Sequence, residues 1–388
     1  MKVSVNRKIM LECVKSMIRV VPDNSPIKEL CGFLIEANED DGYLYITATN
    51  LETTIQRKLK ASIETGGKFV IKAKFFLSML NCFGGEDVLF HEVKTGLVKI
   101  TSGNCTYDLA VLETEKFPKC ELPYPEDTVS ISSLKHLYDG TSGTVCTDKE
   151  INSMSGMHFD IVSDKVTVSS CNRLCFSMVE DKVQTGGKLS FSVSKQAFSY
   201  LASAVGDDNT LDVGFHNKNV VFFKEDMIFS TKMIEHVFVN IPELVNKIEN
   251  SYTAKVEYDD FKNKMVSVFD LAMAGKEKSY IKCVFKENEI ELSTRNDVCS
   301  TTSSVTCVTV GDAKEFTFYY PAKSLRDILN SVTGTMVFGL DKRGYLLVFN
   351  RTNKYMISPL TDRAVEAKEK KIAEAKAPKK AKKEKKAA

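Results

Sequence analysis

Lys8, Glu12, Lys15 and Arg19 fall at i, i+4, i+7 and i+11 along one predicted helix, from about Arg7 to Val20. The opposite side of that helix carries Met10, Cys13, Val14, Met17 and Val21, the spacing of a face turned to a core. Three cations and one carboxylate hold no acid–base or nucleophilic chemistry. Their chemistry is charge neutralisation, and such a stripe is either an ordinary solvated face or a contact for phosphates. Basic residues return in equivalent places in the other predicted helices: Lys72 and Lys74, Lys135, Lys195, Lys262 and Lys264, then Lys323 and Arg326. Recurrence in phase favours the contact.

Catalytic patterns are missing. The chain has no GxxxxGK[ST] loop, no HExxH and no GxSxG, so it carries no P-loop of its own. Its five histidines, His91, His136, His158, His216 and His236, stand without ligand spacing. The acidic pairs Asp40-Asp41, Asp207-Asp208 and Asp259-Asp260 sit where turns or helix starts need caps, which explains them without metal or acid–base work. Eleven cysteines include no CxxC pair; Cys171 and Cys175 are four apart with no second pair nearby. This is the usage of reduced thiols in a cytoplasmic protein. No cofactor or metal is expected, and the reading is a binding protein rather than an enzyme.

The elements that position the cations repeat. Gly66-Gly67-Lys68-Phe69-Val70-Ile71 runs into Lys74-Phe75-Phe76-Leu77-Ser78-Met79-Leu80. Gly186-Gly187-Lys188-Leu189-Ser190-Phe191 runs into Lys195-Gln196-Ala197-Phe198-Ser199-Tyr200-Leu201. Glu315-Phe316-Thr317-Phe318 runs into Lys323-Ser324-Leu325-Arg326-Asp327-Ile328-Leu329. Lys68 and Lys188 are 120 residues apart, Lys188 and Glu315 127. That period is the size of a domain, not of a solenoid unit. Strands ending in hydroxyl or amide residues keep the same phase: Leu44–Asn50, Val166–Ser170 and Ile290–Asn296. So do Leu97–Thr101, Val220–Phe223 and Tyr345–Phe349. Each copy supplies two helices and six or more strands, an α+β class with antiparallel sheets.

Boundaries follow from composition. The copies span 1–122, 127–250 and 251–362, the first break being proline-rich (Pro118, Pro123, Pro125). Residues 363–388 are Ala/Lys/Glu low-complexity sequence, expected to be disordered or transiently helical. They hold 11 Lys/Arg against 4 Asp/Glu, a net +7, which leaves the body with 42 basic and 47 acidic residues, a net −5. An acidic body that binds nucleic acid must segregate its positive charge onto one surface. No apolar run approaches the roughly 18 residues of a membrane span, and the start lacks a signal h-region; no membrane partner is expected.

Over about residues 1 to 363 the chain resembles the β sliding clamp of bacterial DNA polymerase III. The resemblance rests on Met1-Lys2-Val3-Ser4-Val5 with its helix, Thr47-Ala48-Thr49-Asn50-Leu51-Glu52, Lys74-Phe75-Phe76, Glu115-Lys116-Phe117-Pro118, Ser155-Gly156-Met157-His158-Phe159 and Asn172-Arg173-Leu174, in that order on the threefold repeat. It implies three repeated clamp domains, helices inside and sheets outside a homodimeric head-to-tail ring around double-stranded DNA, with the basic helices facing phosphates. It implies a processivity factor that tethers a replicative polymerase, is opened by an ATP-dependent clamp loader, and works in the nucleoid-associated cytoplasm. The family's partner-peptide pocket falls on Met154, Ser169, Cys171, Asn172, Arg173 and Leu174, and on Val239, Met356, Ser358, Pro359 and Leu360. Plain core packing is the alternative for Met154, Leu174 and Met356. Ring closure falls on Tyr107 and Met273.

The chain also departs from the family pattern. The family has glycine and histidine at Cys171 and Asn172, proline at Val239, and a Met-Pro-hydrophobic-Arg run where this chain has Ser358-Pro359-Leu360-Thr361. These departures fit a divergent or phage-encoded member with its own peptide partner. The basic tail reads as a solubilising extension, a DNA-holding arm, or a segment folded back over the pocket. A competing reading is a clamp-like scaffold recruiting repair or transcription proteins, which partner pull-down would separate from a replicative clamp.

Overall fold

The structure is a computed structural model that describes residues 1–146, 154–206, 210–274, 279–296, 299–310, 314–332 and 334–376. The pair Asp207-Asp208 and the lysines beyond Lys376 lie outside the described residues.

The chain opens with β1 (Lys2–Asn6) and α1 (Arg7–Met17). Then come β2 (Gly32–Asn38), β3 (Tyr43–Thr49), β4 (Thr53–Lys60), β5 (Ser62–Thr65) and β6 (Gly67–Lys72), which runs into α2 (Ala73–Cys82). Strands β7 (Asp87–Lys94), β8 (Leu97–Ser102) and β9 (Cys105–Ala110) follow. The order restarts at β10 (Thr128–Ile131) and α3 (Leu134–Thr141), continuing through β11 (Met157–Cys171), β12 (Cys175–Val193) and α4 (Lys195–Val205). Strands β13 (Leu211–His216), β14 (Asn219–Lys224) and β15 (Met227–Lys232) lead to a short α5 (Ile241–Asn246). A third start, β16 (Tyr252–Glu257) and α6 (Tyr258–Ala274), precedes β17 (Tyr280–Lys286), β18 (Glu289–Arg295), β19 (Ser300–Thr306), β20 (Val308–Val310) and β21 (Phe316–Pro321). Helix α7 (Ala322–Ser331), β22 (Thr335–Leu340), β23 (Leu346–Phe349), β24 (Asn353–Ile357) and α8 (Asp362–Lys376) are the last of the described elements. The paired strands are antiparallel throughout, so the class is α+β.

The three starts are one motif, a strand followed at once by a helix, with no residue between them in the first and third and two, Ser132 and Ser133, in the second. The turn after each hydroxyl-ended strand is also one motif. Asn50 Oδ1 accepts from the Glu52 and Thr53 amides at 3.1 and 2.8 Å. Asn172 Oδ1 accepts from Leu174 and Cys175 at 2.8 and 3.0 Å, and Asn296 Oδ1 accepts from Cys299 at 2.9 Å. Asparagine closes a turn this way because its amide oxygen reaches its own chain two and three residues on.

Contacts divide the chain into two compact units rather than three: 1–138 with 159–166 and 182–235, and 139–158 with 167–181 and 236–388. Strands β11 and β12 contribute residues to both. The first unit holds a five-stranded sheet, β5-β1-β7-β8-β9, and an eight-stranded one, β10-β13-β14-β15-β4-β3-β2-β6. Helix α1 buries Met10, Cys13, Val14 and Met17, which leaves Lys8, Glu12 and Lys15 outward. Aromatic rings fill much of this core; Phe159 lies 4.8 Å from Phe191 and 4.9 Å from Phe198, centroid to centroid. Each such side chain contributes about 1.5–3 kcal/mol by leaving water.

In the second unit, α6 packs Phe261, Met265 and Val268, and α7 packs Leu325 and Ile328, against Ile281, Cys283 and Phe285 of β17. Its four-stranded sheet runs β19-β18-β17-β21, and the C-terminal hairpins join a seven-stranded sheet, β11-β12-β24-β23-β22-β16-β20. The low-complexity segment departs from expectation. Up to Lys376 it forms α8, whose Ile372 is buried. Alanine, glutamate and lysine are strong helix formers, and packing supplies what propensity alone would not.

Candidate functional site

The structure places every basic residue of the predicted stripe on a helix or at its edge. In the first unit, Lys8 and Lys15 lie on α1, Arg19 just past it, Lys72 at the N-cap of α2, Lys74 on α2, Lys135 on α3 and Lys195 on α4; all are exposed. In the second unit, Lys262 and Lys264 lie exposed on α6 and Lys323 on α7, with Arg326 half-buried. Some are engaged. Lys74 pairs with Asp23 at 2.8 Å, Lys264 with Asp260 at 2.9 Å, and Arg326 approaches Asp327 at 3.9 Å. Arg19 donates to the Ser203 hydroxyl, and Lys262 sits 5.4 Å from the centre of the Tyr258 ring. Lys8, Lys15, Lys72 and Lys323 have no ion-pair partner among the described residues, so their charge is spent on nothing internal.

The second unit contains a cavity of about 350 Å³. Of the predicted pocket residues, Met154, Cys171, Asn172, Arg173, Leu174, Val239, Met356 and Ser358 line it together. Ser169, Pro359 and Leu360 do not: Ser169 is buried in β11, and Pro359 and Leu360 follow the wall that Ser358 ends. The capped turn at Asn172 holds Arg173 and Leu174 at the lip, with Leu174 40% exposed. Beneath it Cys171, Phe176, Met178, Ile241 and Leu347 form a separate small core, against which Met154, Val239 and Met356 pack half-buried. For the two methionines, packing and lining are therefore the same position seen from two sides. The Ser358 amide donates to the Leu174 carbonyl at 2.8 Å and ties the C-terminal wall to the lip. Burial pushes the Cys171 thiol up to about 12 and Cys175 to about 11, so neither is a thiolate nucleophile near neutral pH.

Three lining elements carry no mark in the predicted set. Helix α5 supplies Ile241 and Leu244, and the chain just past it Lys247 and Ile248. Phe176 and Cys175 come from the start of β12, and Arg343 and Tyr345 from the loop before β23. The guanidinium of Arg343 hydrogen-bonds Asp341 at 2.8 Å and lies 5.0 Å from the Tyr345 ring centre. A signal for α5 exists: Asn240 caps Glu243 at 3.1 Å, with Pro242 in the first turn.

Residues 1–122 match the family described as DNA polymerase III beta subunit, N-terminal domain. A curated beta sliding clamp of Chlamydia pneumoniae is 21% identical over 322 residues, covering 81% of this chain and 82% of that one. Among solved structures, a putative DNA polymerase III beta subunit of Eubacterium rectale superposes with a TM-score of 0.84 at 16% identity, over 93% of this chain and 100% of its own. This chain is similar in sequence and in fold to bacterial sliding clamps. The clamp fold extends over its whole globular part, as the Bartonella birtlesii clamp solved with griselimycin also indicates, with a TM-score of 0.80 at 19% identity over 93% and 99%.

Of the two expected ring-closure residues, Tyr107 is half-buried and Met273 lies at the surface. Tyr107 lies on β9, an edge of the five-stranded sheet, and packs edge-on against Phe75 and Phe83 at 6.4 and 5.6 Å. Met273, near the end of α6, is 36% exposed. Among the described residues, no group of three or more His, Cys, Asp or Glu is placed to hold a metal ion, and no helix is long and apolar enough to cross a membrane.

Proposed function

We propose that this chain is a DNA sliding clamp: a non-catalytic processivity factor whose homodimer closes around double-stranded DNA and tethers a replicative polymerase. The carrying observation is the clamp fold over 93% of the chain combined with exposed, uncompensated lysines on its helices. Phosphate contacts from these lysines are electrostatic and sequence-independent, so the ring can slide. Topology, not affinity, then prevents loss. The three copies at 1–122, 127–250 and 251–362 act as clamp domains; the family match ending at residue 122 and the asparagine-capped turns at 50, 172 and 296 support that division. Tyr107 and Met273 belong to the closing interface of the two copies. The cavity of the second unit receives an apolar peptide segment from the polymerase or the ATP-dependent loader, with Ser169, Pro359 and Leu360 outside its wall. Flexible Met154 and Met356 suit a wall that serves more than one partner. The chain works on the nucleoid in the cytoplasm.

The test is retention on nicked circular DNA, with loader and ATP, before and after the circle is linearised. Loss only on linearisation is the expected result. Equal retention on both forms, falling steeply with salt, would refute a topological link and leave ordinary electrostatic binding.

A further inference from the structure

We propose that α8 is a brace for the C-terminal wall of the cavity and that Glu369 is the residue that positions it. The inference rests on the reading of that cavity as the partner site.

Along β17 the side chains alternate. Ile281, Cys283 and Phe285 enter the core under α6 and α7, so Tyr280 points to the opposite face of the sheet. It is nevertheless only 5% exposed. The cover is α8. Tyr280 donates its hydroxyl hydrogen to Glu369 Oε1, and Arg295 on β18 holds Glu369 Oε2 at 3.1 Å. Three residues on, Ile372 is buried to the same 5%. One carboxylate thus fastens the helix to two neighbouring strands, and one isoleucine of the same helix is buried.

The fastening is continuous with the cavity. Ser358 lines it, and its amide is bonded to the Leu174 carbonyl at the lip. Two residues later the Leu360 amide donates to the Tyr319 carbonyl at 2.7 Å. The Tyr319 ring stands edge-on to Tyr280, 5.3 Å between centroids, and Tyr280 is the residue that Glu369 holds. Thr361 starts α8, its carbonyl accepting from the amides of Ala364 and Val365 at 2.8 and 3.1 Å. Between the lining Ser358 and the helix there are three residues, one of them Pro359, so little slack separates a shift of α8 from a shift of the wall. A docked α8 holds that wall in one position; an undocked α8 lets Ser358 and Leu360 leave their partners.

The experiment is site-resolved amide exchange on the partner-free full chain, compared with Glu369→Ala, Tyr280→Phe, a chain ending at Thr361 and a chain ending at Lys376. Expected is exchange at Ser358 and Leu360 about tenfold faster or more in Glu369→Ala and in the chain ending at Thr361, since a charged hydrogen bond is removed. Tyr280→Phe, which keeps the ring packing, moves the same two amides in the same direction. The chain ending at Lys376 matches the full chain, and Ala254 and Val256 on β16 keep their protection in every variant, which separates a local brace from general destabilisation. Unchanged exchange at Ser358 and Leu360 in both Glu369→Ala and the Thr361 chain would overturn the brace, as would equal acceleration at β16. Because no partner is present, this result is independent of the nicked-circle experiment: a chain that fails to slide can still show the brace, and a sliding chain can lack it.

Discussion

Replacing Asn172 by alanine removes one side-chain oxygen that serves two backbone donors, Leu174 N–H at 2.8 Å and Cys175 N–H at 3.0 Å. Leu174 is exposed, so water recovers its donor; Cys175 is 2% exposed, so its donor is stranded. Taking about 0.5 kcal/mol for the first bond and about 1.5 for the second gives a loss near 2 kcal/mol. For a cooperative unit of this size that is a fall of about 4–8 °C in melting temperature. Asn50→Ala is the internal control. It strands the Thr53 donor, 2.8 Å from Asn50 Oδ1 and on a residue 3% exposed, by the same geometry in the other unit and away from the cavity. Calorimetry of both variants should show similar losses, while amide exchange at Leu174 and Cys175 rises only in Asn172→Ala. If Asn172→Ala melts with the wild type and its two amides stay protected, the side chain does not hold the lip and the account of the cavity's geometry is wrong.

Replacing Lys8, Lys15, Lys72 and Lys323 by alanine should lower the slope of log affinity against log salt by about 0.9 for each phosphate that is no longer neutralised, equally on any sequence, read by DNA-binding titration at several salt concentrations. Burial works to raise the Asp226 carboxyl, but Arg57 and then Lys224 hold it below its usual range. A depressed carboxyl stabilises above its unfolded value of about 3.9 and loses that contribution as pH falls through the folded one; Asp226→Asn should therefore melt lower than wild type at pH 7, with the gap closing below about pH 4. Gly344→Ala should destabilise by about 2 kcal/mol or more in a denaturant titration, since φ is +88° and an added Cβ would stand 2.4 Å from Phe318 Cδ1. A maleimide at pH 7 should label exposed Cys82, Cys105 and Cys299 well before buried Cys13 and Cys171, both of whose thiols are pushed up to about 12, as mass spectrometry of partly labelled chain would show.

Much of this was legible in the sequence because it is periodic. The stripe of Lys8 and Lys15 could be placed from Met10, Cys13, Val14 and Met17, since a 3.6-residue period fixes both faces at once. The turns at Asn50, Asn172 and Asn296 were marked by hydroxyl and amide residues at strand ends, since the capping is local in the chain. Arg343 and Tyr345 could not be found that way. They share the cavity with Met154 only because β23 and β24 fold back beside β12, a pairing that no local period announces. Composition left α8 open between a disordered and a transiently helical segment. Only Val365 and Ile372, seven residues apart, hint at a docking face, and the Tyr280 and Arg295 that receive Glu369 lie some 80 residues upstream.

Strand β19 has one consequence for the life of the chain in a cell. It reads Ser-Thr-Thr-Ser-Ser-Val-Thr, without proline or charge, and among the described residues it pairs on one side only, as β9 does. Each such rim leaves a row of amides and carbonyls ready to template any strand that drifts past. A chain with both rims uncovered is therefore open to promiscuous aggregation, to a degree set by how much of it a cell holds at once. Overproduction should fill inclusion bodies, and a charged residue on that rim, Ser300→Lys or Thr302→Lys, should keep more of the chain in solution.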